Sequence, residues 1–161
     1  MNLLPSRPVL FPSLLLACSL SFPPAPAHAA GLCLKVDTGG REALSLPIVN
    51  GGKLRLSFIN SVYGSSVEEV FRIGDEGLQS FRLSYAEPRL VEFYGHEGAS
   101  YENGSWVVAP APRRFKTLDL RVSGDSAIEI AVDGGVVALR ETARIGANAR
   151  LSVASCEANH G

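Results

Sequence analysis

Apolar and polar side chains alternate along most of the chain beyond residue 30. Lys53-Leu-Arg-Leu-Ser-Phe-Ile-Asn60 places Leu54, Leu56 and Phe58 on one face and charged or polar groups on the other. Leu118-Asp-Leu-Arg-Val122 and Ile128-Glu-Ile-Ala-Val132 repeat the pattern. A period of two belongs to a strand with one buried and one solvated face. Turn chemistry separates the runs at Thr38-Gly-Gly, Asn50-Gly-Gly, Asp75-Glu-Gly, Ser123-Gly-Asp and Asp133-Gly-Gly. No window carries a helical stripe with caps at its ends. The pattern predicts an all-β domain, an antiparallel β-sandwich or partly open barrel of about eight to ten short strands.

Two hairpins can be put in register. A two-residue loop at Gly134-Gly135 sets Val132 opposite Val137 and Ile130 opposite Leu139. A four-residue loop at Tyr63-Gly-Ser-Ser66 sets Val62 opposite Val67, Phe58 opposite Phe71 and Leu56 opposite Ile73. The second register also brings Asn60 opposite Glu69, both on the apolar face. A carboxylate there needs a hydrogen-bond donor, which the Asn60 amide supplies. Such a pair either pins the register or orients a bound polar group at the open end of the fold; general acid/base chemistry by Glu69 is a third reading. Glu68 points to the opposite face of the same strand, so the two carboxylates do not converge.

Residues 1–29 follow a different pattern. Arg7 precedes an apolar stretch from Val9 to Phe22, and Ala27-His28-Ala29 ends it with the small side chains of a signal-peptidase site. The stretch is short of the roughly 20 residues of a spanning helix and is broken by Pro12. Leu15-Leu-Ala-Cys18-Ser resembles a bacterial lipobox, an alternative in which Cys18 is acylated and tethers the protein to a membrane. Both routes leave the folded part, residues 30–161, extracytoplasmic: periplasmic, secreted or lipid-anchored. Both also remove or lipidate Cys18, leaving Cys33 and Cys156 as a candidate disulfide between the ends of the mature chain.

Composition narrows the field further. The full chain is 46% apolar and 19% charged. After loss of residues 1–29, 14 basic side chains face 16 acidic ones, a net charge of −2 with no charge block. Bulk electrostatic binding to nucleic acid or to a membrane surface is therefore not expected. Twelve Arg against three Lys, with abundant Ala and Gly, points to a GC-rich bacterial coding sequence. No phosphate loop, dinucleotide fingerprint, Cys-x-x-Cys or Gly-x-Ser-x-Gly occurs, and no cofactor is implied.

Ser57-Phe-Ile-Asn-Ser-Val-Tyr-Gly-Ser-Ser-Val-Glu-Glu-Val-Phe71 resembles the signature of the domain of unknown function 1850 family. Members carry an aromatic, His-Ser-Val, three residues, Pro-Val, one residue, Glu, one residue and an aromatic. Ser61, Val62, Val67, Glu69 and Phe71 match, while Asn60 stands in place of His and Ser66 in place of Pro. Asn103-Gly-Ser-Trp106 is similar to the family's Gly-Trp stretch, and Leu118 to Leu139 to its closing strand and hairpin. Ser84-Tyr-Ala-Glu-Pro-Arg89 replaces a Gly-rich segment. The resemblance implies a small extracytoplasmic protein without established chemistry, often encoded beside tripartite (TRAP-type) transporter components, and hence an accessory binding role.

Between Glu87 and Phe115 the strand pattern loosens around Phe93, Tyr94, His96, Tyr101 and Trp106. Irregular connections of this length carry binding groups or cover a core end. Glu92, His96, Glu97 and Glu102 fit no metal-ligand spacing. The expectation is a non-enzymatic module that binds a small polar ligand or a transporter component. Asn60, Glu69, Tyr94, His96 and Trp106 are its candidate contacts. A secreted hydrolase or metal-dependent enzyme using Glu69 and His96 is the alternative.

Overall fold

Residues 31–40, 43–125 and 127–156 are described by the structure, a computed structural model. The strands are β1 (Leu32–Asp37), β2 (Leu44–Ile48), β3 (Lys53–Asn60), β4 (Ser65–Gly74), β5 (Gly77–Tyr85), β6 (Ser100–Glu102), β7 (Ser105–Val108), β8 (Arg114–Phe115), β9 (Thr117–Arg121), β10 (Glu129–Val132), β11 (Gly135–Ala138) and β12 (Asn148–Ser155). Two short helices, α1 (Pro88–Phe93) and α2 (Leu139–Thr142), interrupt them. The strands form two antiparallel sheets, β2-β1-β12-β9 and β11-β10-β3-β4-β5-β7-β6, with β8 also on β5. The expected all-β sandwich is the fold observed, and the sheets do not close into a barrel. Twelve strands among the described residues exceed the expected number because several are only two to four residues long.

The alternating faces meet between the sheets. Leu34 and Val36 of β1 and Ala149 and Leu151 of β12 pack against Leu54 and Leu56 of β3, Phe71 and Ile73 of β4 and Ile130 of β10. The larger sheet continues past this core, and there Val67 and Tyr85 are covered by Leu90 and Val91 of α1. Phe58 packs against both apolar clusters and so marks the seam between them.

A disulfide joins Cys33 and Cys156, 123 residues apart in sequence. Cys33 lies on β1 opposite Ala154, and Cys156 follows the end of β12 with its backbone N–H donated to the Gly31 carbonyl. The two ends of the described part are thus joined twice, by the strand pair and by the covalent bridge. Residues 1–29, including Cys18, lie outside the described residues. Among the described residues no helix is long and apolar enough to cross a membrane.

Both hairpin registers differ from expectation. In β3–β4, Asn60 faces Ser65, Phe58 faces Val67, Leu56 faces Glu69 and Leu54 faces Phe71. The loop is residues 61–64, two positions earlier than expected. The cause lies in the Asn60 side chain, whose Oδ1 accepts the N–H groups of Val62 (3.0 Å) and Tyr63 (3.1 Å), while its carbonyl accepts that of Gly64 (2.8 Å). This Asx geometry bends the chain immediately after Asn60. In β10–β11, Val132 faces Gly135 and Ile130 faces Val137, so the loop is Asp133-Gly134. A Cβ on Gly134 would lie 2.6 Å from the Pro47 carbonyl oxygen, so this turn is pressed against β2. Leu139 does not pair with Ile130; it opens α2 and donates its N–H to the Ile128 carbonyl. Both shifts move each pairing by an even number of positions, so the strand residues keep their expected inward faces, while Val62, expected opposite Val67, falls in the loop and is exposed.

The loosened stretch is more ordered than its pattern suggested. Pro88 starts α1, and Asn103-Gly104 turns β6 into β7 with both residues at positive φ. That is the geometry of a two-residue primed turn, for which Asn-Gly is the preferred sequence.

Candidate functional site

Along β4 the inward side chains are Val67, Glu69, Phe71 and Ile73. Glu69 faces Leu56 on β3 and Leu83 on β5. Its four neighbours on the sheet grid are therefore apolar, two along its own strand and two across from it. The smaller sheet ends above this point at β9, whose Leu118 and Leu120 alternate inward. Between β9 and the larger sheet lies an open cleft of about 360 Å³, lined by Phe58, Asn60, Glu69, Tyr94, Leu118 and Leu120 among others.

Glu69 is half-buried. Among the described residues no side chain forms an ion pair or hydrogen bond with its carboxylate. Burial pushes its pKa above the ordinary 4.5, as expected when charge is taken from water without compensation. Tyr85, fully inside the neighbouring cluster, has its phenol pushed upward first by burial and then by the negative charge of Glu69 and by Tyr94. Tyr85 is therefore neutral across the physiological range.

Asn60 is the one buried polar residue among those described, 7% exposed. Its Oδ1 is committed to the loop, and its Nδ2 donates to the Tyr94 hydroxyl at 3.1 Å. Tyr94 follows α1, and its backbone N–H returns to the Leu90 carbonyl. Its ring stacks on Tyr85 at 5.5 Å and meets Phe93 edge-on at 5.1 Å. The Tyr94 hydroxyl is thereby fixed at the cleft wall from both ends of its side chain.

Asn60, Glu69 and Tyr94 thus line one cavity, although Asn60 and Glu69 are not cross-strand partners as expected. His96 and Trp106 are placed elsewhere. The His96 ring packs against Tyr85 (5.8 Å) and Tyr94 (6.4 Å), outside the cleft lining. Trp106 sits opposite Tyr85 in the β5–β7 register and packs on the cluster under α1, with Tyr101 at 5.3 Å. Glu92, His96, Glu97 and Glu102 do not converge; among the described residues no three metal-ligating side chains gather.

Sequence reasoning missed two features. Ser65 and Arg89 both donate to Glu87, and Arg89 also lies over the Tyr63 ring at 4.9 Å. These hydrogen bonds pull the Glu87 carboxyl below its ordinary range, Ser65 contributing most. The second is a bulge in β5. Val70 pairs with Arg82 but Phe71 with Ser80, which leaves Phe81 unpaired and turned outward with Arg82. The apolar positions Leu78, Leu83 and Tyr85 change parity across this point, a signal that was present in the sequence.

Phe81 contributes to a second groove of about 480 Å³ on the outer face of the larger sheet. Arg72 and Lys53 lie over its ring, at 4.3 Å and 5.6 Å. Farther along, Arg55 pairs with Glu68 at 3.1 Å and Arg82 with Glu102 at 3.2 Å. Those carboxylates already have cations, whereas Glu69 has none among the described residues, and this difference makes the inter-sheet cleft the stronger candidate. No protein-family model, curated protein or solved structure matches the chain.

Proposed function

We propose that this chain is an extracytoplasmic binding or accessory module whose inter-sheet cleft takes a small ligand. The observation that carries the reading is Glu69, an inward carboxylate that no described residue neutralises, facing a cleft lined by Phe58, Phe71, Leu118 and Leu120 together with polar groups. Ligand sites of this kind combine apolar lining with a few placed polar groups, here Glu69 and the Asn60-Tyr94 pair. The hydrolase reading needs Glu69 and His96 on one cavity, and His96 is not among the cleft residues.

The export signal in residues 1–29 and the Cys33–Cys156 bridge support an oxidising location. The resemblance to the domain of unknown function 1850 family supports an accessory role beside a tripartite (TRAP-type) transporter, with Glu69 as the matching acidic residue. Intact mass of the exported protein distinguishes cleavage after Ala29, the expected result, from acylation at Cys18.

Native mass spectrometry of the protein purified from an expressing bacterium tests the function. A small molecule should accompany the wild type and be absent from Leu120→Trp, which fills the cleft. Identical spectra from two folded proteins would overturn the cleft as the site.

A further inference from the structure

We infer that the cleft selects a small organic cation, a primary ammonium group carried on an apolar or aromatic body. The inference rests on the reading of the cleft as a ligand site and adds the chemical class of the occupant. Three observations carry it. Glu69 stands on an inner face where Leu56, Val67, Phe71 and Leu83 surround it, and no described side chain donates to its carboxylate. The two other charged residues along the cleft, Asp119 and Arg121, alternate outward from Leu118 and Leu120 on β9 and are exposed, with Asp119 held by Arg150 at 2.7 Å. The rings of Phe58, Phe71 and Tyr94 belong to the lining.

Each class of ligand meets this site differently. A neutral apolar molecule would strip water from the carboxylate and return no hydrogen bond, a net cost. An anion would meet like charge at Glu69, with Arg121 of the lining standing only at the exposed edge. An ammonium group donates charge-assisted hydrogen bonds to Glu69, and aromatic faces stabilise the same charge. The rest of the ligand buries its apolar surface against Leu118 and Leu120. Tyr94, whose oxygen accepts from Asn60 Nδ2, retains its own proton for an acceptor on the ligand. Binding of a cation also favours the ionised carboxylate, so it releases a proton from any fraction of Glu69 that is protonated beforehand. Tyr85, its phenol pushed upward by burial, stays neutral beside Glu69; Tyr94 lines the same cleft, and Asp119 and Arg121 border it from exposed positions of β9.

The test is calorimetric titration of the mature protein with phenethylammonium, its neutral counterpart 2-phenylethanol and its anionic counterpart 3-phenylpropanoate. The ammonium should bind about tenfold or more tightly than either counterpart, and Glu69→Gln should weaken it by about the same factor. The comparison of the three compounds needs no variant, so it holds even where a substituted protein folds poorly. Equal binding of the alcohol or the carboxylate, or ammonium binding unchanged in Glu69→Gln, overturns the cation class while leaving the cleft as a site. Absence of ammonium binding overturns it as well, and the Leu120→Trp comparison then decides separately whether the cleft is occupied at all.

Discussion

Asn60 and Glu69 are both polar groups on an apolar face, yet their energetics have opposite signs. Every hydrogen-bonding atom of the Asn60 amide group that the fold uses has a partner: two loop N–H groups and the Tyr94 hydroxyl. Asn60→Ala should therefore lower stability by about 1 to 3 kcal/mol in denaturant titrations. Asn60→Asp should cost less, because it keeps the loop acceptor and loses only the donor to Tyr94. Glu69 has no such partners among the described residues. Its folded-state pKa lies above 4.5 because burial penalises the charge. The folded state therefore holds the proton more tightly than the unfolded chain, a contribution fully present below pH 4.5 and lost as pH rises through the raised folded value. Glu69→Gln should remove this loss and be the more stable protein at pH 8, with the difference shrinking towards pH 4.5. Wild type more stable than Glu69→Gln at pH 8 would mean that the carboxylate has a partner. Glu87 behaves in the opposite sense. Its pKa is held low by Ser65 and Arg89, so its contribution is present above pH 4.5 and lost as pH falls through the lowered value. Ser65→Ala should flatten the acid limb of the stability profile.

At the scale of elements, close backbone approaches limit what the turns tolerate. Gly77 opens β5 at φ +132°, and a Cβ there would lie 2.3 Å from the Phe115 carbonyl oxygen of β8. Gly77→Ala should cost about 1 to 3 kcal/mol from overpacking, measured as a shift in denaturation midpoint. The elements also separate what the sequence specified from what it did not. Period-two alternation identified β3, β9 and β10 and the face each turns inward, because a strand with one buried side leaves that record. Register was not legible. The Asx turn at Asn60 and the contact of Gly134 with Pro47 choose where each loop begins, and neither changes the alternation. Asn103-Gly104 was a readable hairpin signal, but the short β6 and β7 have few alternating positions to support it. The candidate site was half legible. Glu69 could be placed on an inner face from pattern alone. Its lack of a partner depends on where β9 ends and on where α1 carries Tyr94 and His96.

For the molecule as a whole, the Cys33–Cys156 bridge closes a loop of nearly all the described residues. Removing it with Cys33→Ser and Cys156→Ser should lower stability by roughly 4 to 5 kcal/mol on the loop-entropy account, and equal stability of oxidised and reduced protein would contradict that. The larger sheet extends beyond the smaller one, so the described residues form two apolar clusters rather than one continuous core. The cleft lies at the seam between them, where Phe58 touches both, and that is where an inward carboxylate can remain without being sealed in. Carbon-detected NMR of the Glu69 side-chain carboxyl, followed across pH with and without phenethylammonium, measures this arrangement directly. The account predicts a midpoint above 4.5 in the free protein that moves to lower pH when the cation is added; a midpoint at or below 4.5, unmoved by the cation, would contradict it.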